Sequence, residues 1–184
     1  MPAPTFHTER LTIRPMRLED AADLADRRSD PETADFQAWT LPYSLERAVA
    51  IIDEMNARGE PQTGEWFQFA LERTSDGVVV GDVALRLDAD GHNGEVGYTL
   101  HPSARGEGYA TEASVAIIEY GFTHWNLHRF EAIIDPRNAA SAAVLGRLGF
   151  RHEGTSTESF WLGDVVADRA RFGLLRREWE HRRA

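Results

Sequence analysis

Hydrophobic and polar residues alternate in TERLTIRPM, residues 8–16, where Leu11 and Ile13 share a face, and a period of two predicts a strand. The period then lengthens. LEDAADLADRRSD (18–30) reads as a short helix and SLERAVAIIDEMNAR (44–58) as a longer one, with Leu45, Val49, Ile52 and Met55 at helical spacing. Ser44 is available as its N-cap and Gly59 lies just past its end. WFQFALER, VVVGDVALRLDA and EVGYTLHP follow as three strands, and the breaks TSDG and DGHNG carry the Asp-Gly and Asn-Gly pairs that favour hairpins. They predict an antiparallel meander.

The second half changes rhythm. A helix from about Gly108 to His124 leads to the strand RFEAIID (129–135), the helix NAASAAVLGRL (138–148) ending at Gly149, and the strands FRHEGTSTESFW and VADRARFGLL. A βαβα crossover is thus joined to a meander, a mixed α/β pattern with helices covering the sheet. No repeat or long linker divides the chain, so one domain over residues 1–184 is expected.

Composition narrows the function classes. With 184 residues and 42% hydrophobic residues the chain can bury one sizeable core. The opening residues show no basic-then-apolar leader and no stretch approaches a membrane span, so a soluble cytoplasmic protein is expected. There is no cysteine, which excludes disulfides, thiolate metal sites and a cysteine nucleophile. A net charge of −10 disfavours nucleic-acid binding and favours cationic partners, although solubility alone accounts for it.

ARGEGYATEAS (104–114) sets two glycines among charges immediately before an apolar helix. Either a tight turn or close approach of an anion to backbone N–H groups at a helix N-terminus explains so little side chain. GEGYAT lacks the third glycine of a dinucleotide fingerprint, and no Gly-Lys-Ser/Thr makes a phosphate loop. What remains is a set of backbone donors at 106–111, suited to phosphates without a lysine.

Arg105-Gly106-Glu107-Gly108-Tyr109-Ala110 resembles the [Q/R]-x-x-G-x-[G/A] signature of the GNAT acyltransferases. GYATEA, NAASAAVLGRLGFRHEG, the opening TERLTIRPM and the closing DVVADRARFGLLRREW are similar, in order, to the RimJ/RimL-like branch. The resemblance implies a GNAT fold, with a mixed, mostly antiparallel sheet whose two central parallel strands splay, and helices on both faces. It also implies acetyl-CoA as co-substrate, no metal, and direct transfer of an acyl group to a primary amine on a small molecule or a protein N-terminus, by a monomer or homodimer. A non-catalytic acyl-CoA sensor and a structural partner domain with a degenerate site are the competing classes.

On that resemblance Tyr98, Thr99, Leu100, Arg105, Gly106, Glu107, Gly108, Tyr109, Ala110, Thr111, Asn138 and Ser141 contact the cofactor, with the pyrophosphate on residues 106–111. Glu107 stands where the family usually has a basic or amide side chain and is expected to turn to solvent. Glu95 shares a strand face with Gly97, Thr99 and His101, and is either a wet-face carboxylate or, at this family position, the general base. Asn138 is a good N-cap, and the resemblance adds a contact to the pantetheine arm. Ser141 lies on one stripe with Val144, Leu145 and Leu148, either bonded back to its own helix or, by resemblance, beside the thioester sulfur. Many relatives carry a catalytic tyrosine where Leu145 stands, which excludes that acid here. Trp39 and Tyr43, between the early helices, are the candidates for an acceptor pocket, while Trp66, Phe67 and Phe69 read most simply as core. The loop from Asp88 lacks a calcium loop's residues, and His124 and His128 lack a third ligand.

Overall fold

The strand pairings place the candidate site at a split in one sheet. The structure, a computed structural model, describes residues 3–37, 39–162 and 164–183. Its strands are β1 Phe6–His7, β2 Leu11–Pro15, β3 Trp66–Arg73, β4 Val79–Leu87, β5 Asn93–Leu100, β6 Arg129–Ile134, β7 Arg151–Leu162 and β8 Val165–Leu175. They form one eight-stranded sheet in the order β1-β2-β3-β4-β5-β6-β8-β7. Every neighbouring pair is antiparallel except β5 and β6. The parallel pair holds together only through Asn93↔Arg129, Gly94↔Phe130 and Glu95↔Glu131. From Val96 onward β5 has no partner strand on its β6 side, so the sheet opens at its centre.

Local chemistry accounts for most of the helices. These are α1 Ala21–Ser29, α2 Pro31–Ala34, α3 Leu45–Arg58, α4 Tyr109–His124, α5 Ala139–Leu148 and α6 Arg176–Arg183. Ser44 caps α3 by accepting from the Arg47 amide, and Gly59 ends it in the left-handed conformation at φ 75°. Its buried stripe is Ala48, Ile52 and Met55, whereas Leu45 in the first turn is 50% exposed. The expected stripe is therefore rotated toward Ala48. Asn138 caps α5 by accepting from the Ser141 amide at 2.9 Å, and Gly149 terminates it. β1, α2 and α6 are additions to the sequence reading: α6 is polar on almost every side and buries only Trp179.

Phe130 packs at the paired base of the split, opposite Gly94. A Cβ on Gly94 would lie 2.8 Å from the Phe130 ring, and one on Gly121 of α4 would clash with it outright. Glycine at both positions lets a fully buried ring sit between β5 and α4. Gly121→Ala gains helix propensity, but it overpacks this contact and should destabilise the protein by about 1–3 kcal/mol. Thermal unfolding checks it, and an unchanged or raised Tm would show that the ring can yield. Among the described residues, no helix is long and apolar enough to cross a membrane.

Candidate active site

The split opens into a cavity of about 710 Å³. Strict alternation puts Glu95, Gly97 and Thr99 on one face of β5 and Val96 and Tyr98 on the other. All five line the cavity, because where β6 departs the β5 edge is reached from both sides. Trp39 and Tyr43 line it as well. Trp66, read from sequence as core, lines it too, while Phe67 and Phe69 are buried.

Glu95 points into the cavity and pairs with Arg86 of β4 through Oε2. The Arg86 guanidinium lies 5.0 Å from the Trp66 ring centroid, and that ring packs over Gly97. Among the described residues Oε1 of Glu95 has no hydrogen-bond partner, so one carboxylate oxygen is held and the other can take a proton.

Tyr98 reaches α5, 43 residues further along the chain. Its hydroxyl lies 2.8 Å from Ser141 Oγ and can donate to the Ser141 carbonyl at 3.1 Å. Burial pushes the phenol up to about 12, against the lowering pull of the Ser141 hydrogen bond. Tyr98 is therefore a proton donor at every ordinary pH. Leu145 is fully buried one turn beyond Ser141, packed as core. Leu100, by contrast, closes β5 opposite Gly81 and is not part of the cavity lining.

The turn after β5 lies outside this cavity. His101 caps the short turn Pro102–Ala104, and the chain then enters α4 through Gly106 and Gly108, at φ 83° and 86°. Left-handed backbone of this kind strains any residue with a Cβ other than Asn or Asp, which explains both glycines. No side chain caps α4, so its first amides are free of side-chain acceptors. Thr111 Oγ1 is buried without a partner, and a Cβ on Gly106 would meet nothing within 4 Å. An uncapped N-terminus, an orphaned hydroxyl and open space in front fit a pyrophosphate. The Glu107 side chain is exposed.

Arg105 turns away from that N-terminus. It pairs with Asp30 and Glu32 and donates to the Thr33 hydroxyl at 2.6 Å, tying the turn to α2. Arg10 takes the nearer place: it donates to the Glu107 carbonyl at 2.8 Å, stacks 4.7 Å from the Tyr109 ring centroid and pairs with Glu112 at 2.7 Å. Burial pushes Glu112 up, but hydrogen bonds from Thr8 and Arg10 outweigh it and hold the carboxyl below its ordinary value. Arg10 was missed in the sequence because it belongs to the other end of the chain.

The sequence profile of the acetyltransferase (GNAT) domain matches residues 10–151. The chain belongs to the GNAT acetyltransferase family. An N-acetyltransferase named p20 from Bacillus licheniformis is 34% identical, over 95% of this chain and 98% of its own length. The [ribosomal protein uS5]-alanine N-acetyltransferase of Escherichia coli is 24% identical, over 97% of this chain and 94% of its own. Among solved structures, Mycobacterium smegmatis RimJ in complex with CoA-disulfide superposes with a TM-score of 0.79 at 25% identity, covering 91% of this chain and 83% of that one.

In this GNAT enzyme the structure thus gathers Glu95, Tyr98, Thr99, Trp39 and Tyr43 around one cavity and joins Ser141 to them through Tyr98. Residues 105–111 and Asn138 stand outside it, at the starts of α4 and α5. The sequence resemblance gives Tyr98 a cofactor contact only. Its side-chain role depends on a partner in another element, and no local pattern signals that.

Proposed function

We propose that this chain transfers an acetyl group from acetyl-CoA directly to a primary amine bound in the cavity beside Glu95. The observation that carries the reading is the pairing, at one split strand, of a carboxylate with a free oxygen and a half-buried Tyr98–Ser141 donor pair. Acetyl-CoA supplies the thioester, with its pyrophosphate at the uncapped start of α4 and its pantetheine arm passing Asn138. A primary amine is mostly protonated at pH 7 and cannot attack until a proton leaves. Glu95 Oε1 takes that proton, directly or through water. Backbone N–H groups of Tyr98–Leu100, on the edge that β6 leaves unpaired, stabilise the oxyanion of the tetrahedral intermediate. Ser141 donates to the departing sulfur, and Tyr98 donates to Ser141 Oγ in turn.

The acceptor is a small amine or a protein N-terminus. The uS5-alanine acetyltransferase among its relatives acts, by name, on an alanine of ribosomal protein uS5. Screening amine and peptide pools for acetyl-CoA-dependent mass gain, with release of free thiol, tests the activity. Binding of acetyl-CoA with no thiol release in any pool would leave a sensor instead.

Gly108 tests the pyrophosphate assignment. Gly108→Val should weaken coenzyme A binding about tenfold or more and also cost about 1–2 kcal/mol of stability, since a Cβ is strained at this φ. Gly108→Asn, which tolerates left-handed backbone, should keep more of both. Calorimetric titration of the folded variants decides it, and unchanged affinity in Gly108→Val removes the assignment. Arg105→Ala should cost less affinity than Gly108→Val, because Arg105 is spent on α2.

A further inference from the structure

We infer that the acceptor carries a carboxylate next to its amine, and that Arg28 is the group that binds it. The inference rests on the acetyl-transfer reading and narrows it to amino-acid-like substrates.

Arg28 lines the cavity and is only 6% exposed. Its guanidinium lies 4.6 Å from the Trp39 ring centroid and 5.0 Å from that of Tyr43, and Nη1 donates to the Tyr43 hydroxyl at 2.8 Å. Nε is buried without a partner. Among the described residues no carboxylate pairs with it. Arg27, its neighbour in the chain, is equally buried but spends its charge on Asp82 and Asp23. Of the other cavity arginines, Arg86 is answered by Glu95 and Arg137 by Asp135, while the less buried Arg169 stacks 3.8 Å from the Phe160 ring centroid.

Burying a guanidinium with no anion carries a large desolvation penalty. Stacking on aromatic faces offsets part of it, which leaves the charge without a matching anion. A carboxylate from the cavity offsets the rest and suits the planar fork of the guanidinium. Arg47 reinforces the site: it lines the same cavity, stacks 4.6 Å from the Tyr43 ring centroid and pairs with no carboxylate among the described residues. The cavity also contains Glu54, which forms no ion pair with a described residue, and Asp35, whose charge acts on Arg137. Unanswered charges of both signs in one cavity match a zwitterion, with its ammonium toward Glu95 and its carboxylate toward Arg28. A polyamine or the N-terminus of a protein would leave Arg28 unanswered.

The experiment compares free amino acids with their methyl esters as acceptors, following thiol release from acetyl-CoA. The ester amine is the more easily deprotonated of the two, so intrinsic reactivity works against the expected result. For the preferred side chain, kcat/KM should favour the acid by about tenfold to a hundredfold, the range for hydrogen bonds to charged groups. Arg28→Gln and Arg47→Gln should each pull that ratio toward one, and Arg28→Lys should keep part of it. Circular dichroism on heating shows whether the Arg28 variants fold. If Arg28→Gln does not, the wild-type ratio and Arg47→Gln decide. Equal or better use of the esters, or preference for polyamines or peptides lacking a nearby carboxylate, overturns the inference and leaves acetyl transfer standing. Should neither series be acetylated, the transfer reading fails separately. Thermal shift with N-acetyl amino acids against their methyl esters, with coenzyme A present, then tests the carboxylate site alone: stabilisation by the acids only supports it, and equal response overturns it.

Discussion

Glu95→Gln is expected to lower kcat at neutral pH by about 10²- to 10⁴-fold, the usual worth of a positioned general base. Raising the pH should return part of the loss. Glutamine keeps the shape of the side chain and can still contact Arg86, but it cannot accept the ammonium proton. At high pH the amine arrives neutral and the base is no longer needed. Arg86→Gln separates the two roles of the carboxylate. It breaks the ion pair and leaves the base, so whatever activity it loses should not be recovered by alkali. Full activity of Glu95→Gln across pH would show that water takes the proton and that the cavity works by positioning alone.

Ser141→Ala is expected to cost about tenfold to a thousandfold in kcat, by analogy with other transition-state donors, and alkali should not restore it. What is missing is a donor held at the sulfur, whatever the state of the amine. Tyr98→Phe should fall in the same range, and the double variant should cost little more than the worse single, because the two hydroxyls act as one relay. Coenzyme A affinity should stay nearly constant in both. The raised phenol makes the two tests independent. Tyr98 keeps its proton through the pH range in which Glu95→Gln regains activity, since its folded value is about 12. Its contribution to stability is complete below the unfolded value near 10 and is lost as the pH rises through about 12. Absorbance titration of wild type against Tyr98→Phe checks this: the difference should show no phenolate forming near pH 10. Additive effects in the double variant would dissolve the relay.

The features legible in the sequence were those set by neighbouring residues. Ser44 and Asn138 cap their helices and Gly59 and Gly149 end theirs through bonds spanning a few residues, so the identity of the residue at the boundary suffices. The hairpins of the meander turn in the same way at Asp76-Gly77 and Asp90-Gly91, with both glycines left-handed, whereas Asn93-Gly94, expected in the second turn, opens β5. Resemblance to a family, rather than periodicity, supplied the split between the two parallel strands.

Other features required the folded chain. The sheet opens after Glu95, where the β5–β6 ladder stops, and just before that point Phe130 seats between Gly94 and Gly121, three residues from three elements that no window on the sequence brings together. That opening puts both faces of β5 on one cavity, which alternation alone denies, and it carries the Tyr98 hydroxyl to Ser141. Arg28 sits in a helix that reads as ordinary, next to an arginine that pairs. Only the packing of α1 against Trp39 and Tyr43 distinguishes an arginine answered by Asp82 from one left to meet a substrate. A local pattern determines a residue's backbone, whereas the cost of its charge depends on what the rest of the chain brings near it.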